Sequence, residues 1–142
     1  MYKSKYFTMV EMTDSNTARL NKIDNAPTEE HEKNLKELMD FLDSLREYWK
    51  GPIRVTSGYR SEKLNEKVGG VKTSAHNVGY AADLKPYSND MDKFMKVAKE
   101  WIEDKDFDEF IEEKDDNGGH WLHIALKSIK GLQRKKIKSI KK

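Results

Sequence analysis

The 142-residue sequence contains no cysteine. Disulfides, thiolate metal sites and a cysteine nucleophile are thereby excluded, and the redox compartment stays open. No apolar run approaches the ~20 residues a membrane-crossing helix needs. The first twenty residues, MYKSKYFTMVEMTDSNTARL, lack a signal-peptide core. The chain is therefore expected to be made in the cytoplasm, and to need release if it acts outside. An excess of charge of one sign is also missing: 37% of residues are charged, yet they sum to +2. Such a mixed surface makes no general demand for a polyanion, so no specific nucleic-acid partner is expected. Gly69-Gly70 is followed by nothing like GxxxxGKS, which removes a phosphate loop. No Ser-His-Asp order stands out, and Ser57 and Ser74 read as turn and cap residues.

What is present reads as alternating helices and short strands. Phe7, Met9, Val10 and Met12 are expected to pin an ordered N-terminal arm to the body. Thr28 is a plausible N-cap, with Glu29 and Glu30 at the positive end of the helix it opens. Leu35, Leu38, Leu42, Leu45 and Trp49 recur at helical steps, and Gly51-Pro52 ends the run. Ile53–Thr56 reads as a short strand, and Ser61 caps a short helix that ends at Gly69-Gly70. A second strand covers about Ala81 to Leu84. Ser88 or Asn89 caps a helix whose apolar face is Met91, Phe94, Met95, Ala98, Trp101 and Ile102. Phe107 to Glu113 and His120 to Leu126 form two strands around an Asn-Gly hairpin turn. The expected fold is α+β: a small, mostly antiparallel sheet, helices packed on one face, and a cleft on the other. One domain over 1–127 is expected, followed by a basic tail over 128–142. The tail, within KSIKGLQRKKIKSIKK, carries no acid and reads as a solvated extension.

Histidine is scarce, with four copies. His31 falls in the first turns of an amphipathic helix, where a solvated surface role is expected. In HWLHIAL, alternation puts Leu122, Ile124 and Leu126 on one face and Trp121, His123 and Ala125 on the other. His123 on its own reads as either a structural histidine or a ligand. Asp83 lies in the apolar run YAADL, where a carboxylate is costly unless paired or metal-bound. Small neighbours at Gly79, Ala81 and Ala82 leave room for close approach. Either Asp83 accepts backbone hydrogen bonds and His76 is unrelated, or the two join His123 around one zinc ion. Two histidines, one carboxylate and an open fourth position make a hydrolytic zinc centre.

The run Ser57 to Asp83, SGYRSEKLNEKVGGVKTSAHNVGYAAD, resembles the signature of the zinc D-alanyl-D-alanine carboxypeptidases and related phage endolysins. Those are grouped with the vancomycin-resistance D-Ala-D-Ala dipeptidases and the hedgehog-type zinc domain. The matching residues are Ser57-Gly-Tyr-Arg-Ser61, Asn65, Val68-Gly-Gly70, Ser74-x-His76-x-x-Gly79-x-Ala81-x-Asp83 and Trp121-x-His123. The likeness runs over roughly residues 5 to 127. It implies that His76, Asp83 and His123 bind zinc and that Arg60 holds the substrate's carbonyl or carboxylate. Ser74 is read as orienting the loop around His76 beside the substrate. The general base is open. His120 takes the position that glutamate holds in ExxH relatives, and is slightly favoured; Glu113, or Glu112 if the register shifts by one, is the alternative. The expected activity is that of a zinc metallopeptidase of the D,D-carboxypeptidase or L,D-endopeptidase type. Its partner would be a peptidoglycan stem or cross-link peptide, cut by a monomer acting on the wall after release. The alternative is a zinc-stabilised module that binds wall peptide without cutting it. The basic tail could add attraction to anionic wall polymer or membrane, weakening with salt.

Overall fold

The computed structural model describes residues 4–141. The longest element, α3 (Glu29–Trp49), starts where Thr28 Oγ1 accepts the His31 backbone N–H at 3.1 Å, with Glu29, Glu30 and Glu32 in the first turn. Leu35, Leu38, Leu42 and Leu45 are fully buried, and Lys50 closes the helix in a left-handed conformation just before Gly51-Pro52. The second long helix, α5 (Met91–Ile102), buries all six expected apolar residues. Its cap is Asp90, whose Oδ1 accepts the Lys93 N–H, and not Ser88 or Asn89. Asn89 has a φ of 63°, so its backbone cannot take the extended form a cap requires.

Five strands form one sheet in the order β1-β2-β4-β3-β5: β1 (Ile53–Ser57), β2 (Ala81–Pro86), β4 (His120–Ala125), β3 (Glu109–Lys114) and β5 (Lys136–Lys141). All neighbours are antiparallel except β3 and β5, which run parallel. The fold is α+β, as the alternation of elements predicts. Ala82 and Leu84 of β2, Phe110 of β3 and Leu122 and Ile124 of β4 point to the core shared with α3 and α5. With those side chains committed, the alternate positions of the same strands face away from the helices.

The N-terminal arm comprises α1 (Met9–Thr13) and α2 (Asn16–Leu20). Phe7 and Met12 are buried and Met9 packs against the core, whereas Val10 is 76% exposed and pins nothing. The buried Asp43 of α3 gathers the Ser4 hydroxyl and the Lys5 and Tyr6 amides. His31 is half-buried, and its Nδ1 lies 2.9 Å from the Tyr59 hydroxyl. Residues 136–141, read from sequence as part of a solvated extension, instead form β5.

Candidate metal centre

The helix-free face of the sheet is shaped by local irregularities around Asp83. In β1 the register slips between Val55 and Ser57, so that Ser57 rather than Thr56 pairs with Asp83. This bulge re-aims Ser57 beside Asp83. Its Oγ accepts from Arg60 Nε at 3.2 Å. Arg60 Nη1 donates to Asn65 Oδ1 at 3.3 Å. Asn65 comes from α4 (Glu62–Lys67), which is capped by Ser61; it is buried and donates to the Val71 carbonyl. Gly70 packs directly on this pair: a Cβ there would sit 2.1 Å from Asn65 Oδ1 and 3.0 Å from Arg60 Nη1. The SGYRS, Asn65 and Gly-Gly elements thus work as one clamp that sets the guanidinium in place.

His76 rides on a 3-10 turn, Ala75–Val78, capped by Ser74, whose Oγ accepts the His76 N–H at 3.2 Å. Gly79 ends the turn at φ 87°, a conformation open to glycine at little cost, and leads the chain into β2. There Asp83 pairs with His123 of β4. His76 Nε2 lies 3.3 Å from Asp83 Oδ1, and His123 Nδ1 lies 3.1 Å from the same oxygen. One ligand atom from each of the three side chains falls within 4.8 Å of the others. Donors around a tetrahedral zinc at roughly 2.1 Å would be about 3.4 Å apart.

The proton inventory also fits a cation. His76 is fully desolvated, and burial pushes its imidazole below the ordinary value despite Asp83. Its Nδ1–H faces the Gly58 carbonyl at 2.7 Å and can only donate there. The neutral ring therefore turns a bare Nε2 lone pair onto a carboxylate oxygen, an unfavourable meeting unless a positive charge lies between. Burial works to raise the Asp83 carboxyl, but the hydrogen bond and charge of the protonated His123 ring outweigh it and hold it below the usual carboxylate range. Burial works to lower His123, yet hydrogen bonds to Asp83 and Glu109 raise it to about 9. Arg60 Nη2 adds a contact to Asp83 Oδ2 at 3.6 Å.

A cavity of about 520 Å³ joins these groups, lined among others by Arg60, Ser74, His76, Asp83, Glu109, Glu113, Trp121 and His123. Glu113 is brought into it: its Oε2 accepts the Trp121 indole N–H at 2.6 Å. His120 is not. It shares the face of Leu122 and Ile124, and its Nε2 lies 2.6 Å from Glu112 Oε2. His120 and Glu112 therefore pair with each other on the helix side of the sheet. Glu109, not singled out from sequence, lies 3.2 Å from His123 Nε2 through Oε1. The sequence did contain a signal, since Glu109, Ile111 and Glu113 share a face by alternation. Only the hairpin register, which sets Ile111 opposite His123, shows which imidazole Glu109 meets.

Two imidazoles and a carboxylate, backed by a second carboxylate on one ring and flanked by a guanidinium, define a metallohydrolase type of centre. The chain belongs to the peptidase M15 family, whose model matches residues 5–124, a group of zinc D-Ala-D-Ala carboxypeptidase-like enzymes. No match was found among the curated proteins.

Proposed function

We propose that the protein is a zinc-dependent peptidase that hydrolyses D-amino-acid-containing peptides of the bacterial cell wall, acting there after release. The supporting observation is the convergence of His76, Asp83 and His123 on the helix-free sheet face, with Glu113 and Arg60 lining the same cavity. In this reading His76 Nε2, Asp83 Oδ1 and His123 Nδ1 hold the zinc. The ion, when bound, activates water and polarises a carbonyl as a Lewis acid. Gly58 and Glu109 fix the tautomers of the two rings by accepting their remaining N–H groups. Glu113 accepts the proton from the attacking water and passes it to the leaving amine, and the Trp121 indole holds the carboxylate in place. Arg60, clamped by Ser57 and Asn65, opposes negative charge on the tetrahedral oxygen. Ser74 holds the turn that carries His76.

The test is digestion of purified peptidoglycan, with mass spectrometry of the fragments and metal analysis of the protein. About one zinc per chain, new free amines and loss of both in Asp83→Ala are expected. Pelleting with the wall and no release of amines would point to a binding module instead. Full activity of metal-free protein would refute the proposal.

A further inference from the structure

The family match ends at residue 124, and β5 lies beyond it. This strand nevertheless borders the candidate centre. It pairs in parallel with β3, placing Lys136 beside Glu109, Lys138 beside Ile111 and Ile140 beside Glu113. Paired residues of parallel strands share a face. Lys136, Lys138 and Ile140 therefore stand on the cleft side, and Ile140 and Arg134 line the same cavity as His123.

Most cations of this segment are already committed. Arg134 forms a two-pronged ion pair with the fully buried Asp108, at 2.7 and 2.8 Å. Lys127 meets Glu37, Lys135 meets Asp106 and Lys141 meets Asp116. Lys136 neighbours Glu109 in the register and acts on Asp108 through its charge. Lys138 is exposed and, among the described residues, stands in no ion pair. Its neighbour Ile111 is paired directly with His123. Two strand spacings, ~10 Å, therefore separate the Lys138 backbone from that of a candidate zinc ligand. The flexible ammonium stem can close part of this gap, which puts the charge roughly one to three peptide residues from the reacting bond.

We propose that β5 is a specificity-determining wall of the cleft, in which Lys138 receives a carboxylate of the peptide substrate near the scissile bond and Ile140 packs against its apolar part. This rests on the peptidase reading. It adds a preference for peptides with a free carboxylate flanking the cut, carried by a strand that lies beyond the 5–124 match.

The probes are the zinc-loaded full chain and the pentapeptide L-Ala-γ-D-Glu-L-Lys-D-Ala-D-Ala in three forms. One is unmodified, one has the glutamyl α-carboxylate amidated, and one has the terminal carboxylate amidated. The wild type should prefer a free carboxylate at one of the two positions by about three- to tenfold, through KM and not kcat, and the preference should shrink at high salt. Lys138→Gln should erase the preference, Lys138→Glu reverse it and Lys138→Arg retain it, all with unchanged zinc content and melting temperature. The same peptides titrated by calorimetry onto wild type and Lys138→Gln give the corresponding ratio of Kd values without any turnover. Failure to cleave any peptide would sink the peptidase reading, while the calorimetric ratio would still decide the role of β5. An equal preference in wild type and Lys138→Gln, or no preference in the wild type by either measurement, would overturn it.

Discussion

His123 stands between two carboxylates, Asp83 on Nδ1 and Glu109 on Nε2, and in the metal-free protein it carries a proton up to about pH 9. Zinc needs the Nδ1 lone pair and so must displace that proton. Apparent zinc affinity should therefore rise by about tenfold per pH unit from pH 7 towards 9, as competition titrations with a chromogenic chelator would show. An affinity flat over that range would mean His123 is not a ligand. Glu109→Ala should weaken zinc binding by about 10- to 100-fold, because the ring loses the partner that fixes its tautomer. For the base, Glu113→Gln should lower kcat by about 10²- to 10⁴-fold with zinc retained, and His120→Gln should leave kcat within a few-fold. The reverse ranking would move the base to the other face of the sheet.

Among the elements, β5 is fastened by one buried ion pair. Burial works to raise the Asp108 carboxyl, but the hydrogen bonds from Arg134 outweigh it and depress it. A depressed carboxylate contributes stability above its unfolded value of about 4, and that contribution is lost as pH falls. Arg134→Ala should therefore lower the urea midpoint at pH 7, and lower it less near pH 3. The loss should be smaller than for a fully buried pair, because the Arg134 side chain is 40% exposed. The helices were legible in the sequence because a 3.6-residue repeat needs no partner: all six apolar positions of α5 are buried, as their spacing predicts. The β1 and β4 strands were legible for the same reason at period two, in Ile53–Thr56 and in HWLHIAL. β5 was not, since KIKSIK alternates as weakly as a solvated tail, and only pairing with β3 decides its state. The Asp83–His123 contact lay within reach of motif spacing, whereas Glu109 and the separation of Glu113 from His120 depended on hairpin register.

For the whole molecule, the core between sheet and helices and the candidate metal centre on the opposite face draw on the same strands, β2 and β4. Ligand binding to the folded state alone raises its stability by mass action. Chelation should therefore lower the melting temperature, and restored zinc should recover it. In the metal-free protein, His123 has a folded-state value raised from 6.5 to about 9. Its stabilising contribution is complete below pH 6.5 and is lost as pH rises through 9. Between those limits the metal-free fold should weaken by up to about 3 kcal/mol, read as a falling urea midpoint. His76, shifted downward, costs stability only on the acid side. No helix among the described residues is long and apolar enough to cross a membrane.

The placement of the three tryptophans gives the protein a built-in optical probe. Trp49 packs on Phe94, and Trp101 on Phe41 with its indole N–H on Ser44, so both report from the helix layer. Trp121 alone lines the cavity, with its indole hydrogen-bonded to Glu113. A change in emission on adding metal or peptide can thus be assigned to a single fluorophore one bond from the proposed base, and replacing Trp121 with phenylalanine supplies the blank.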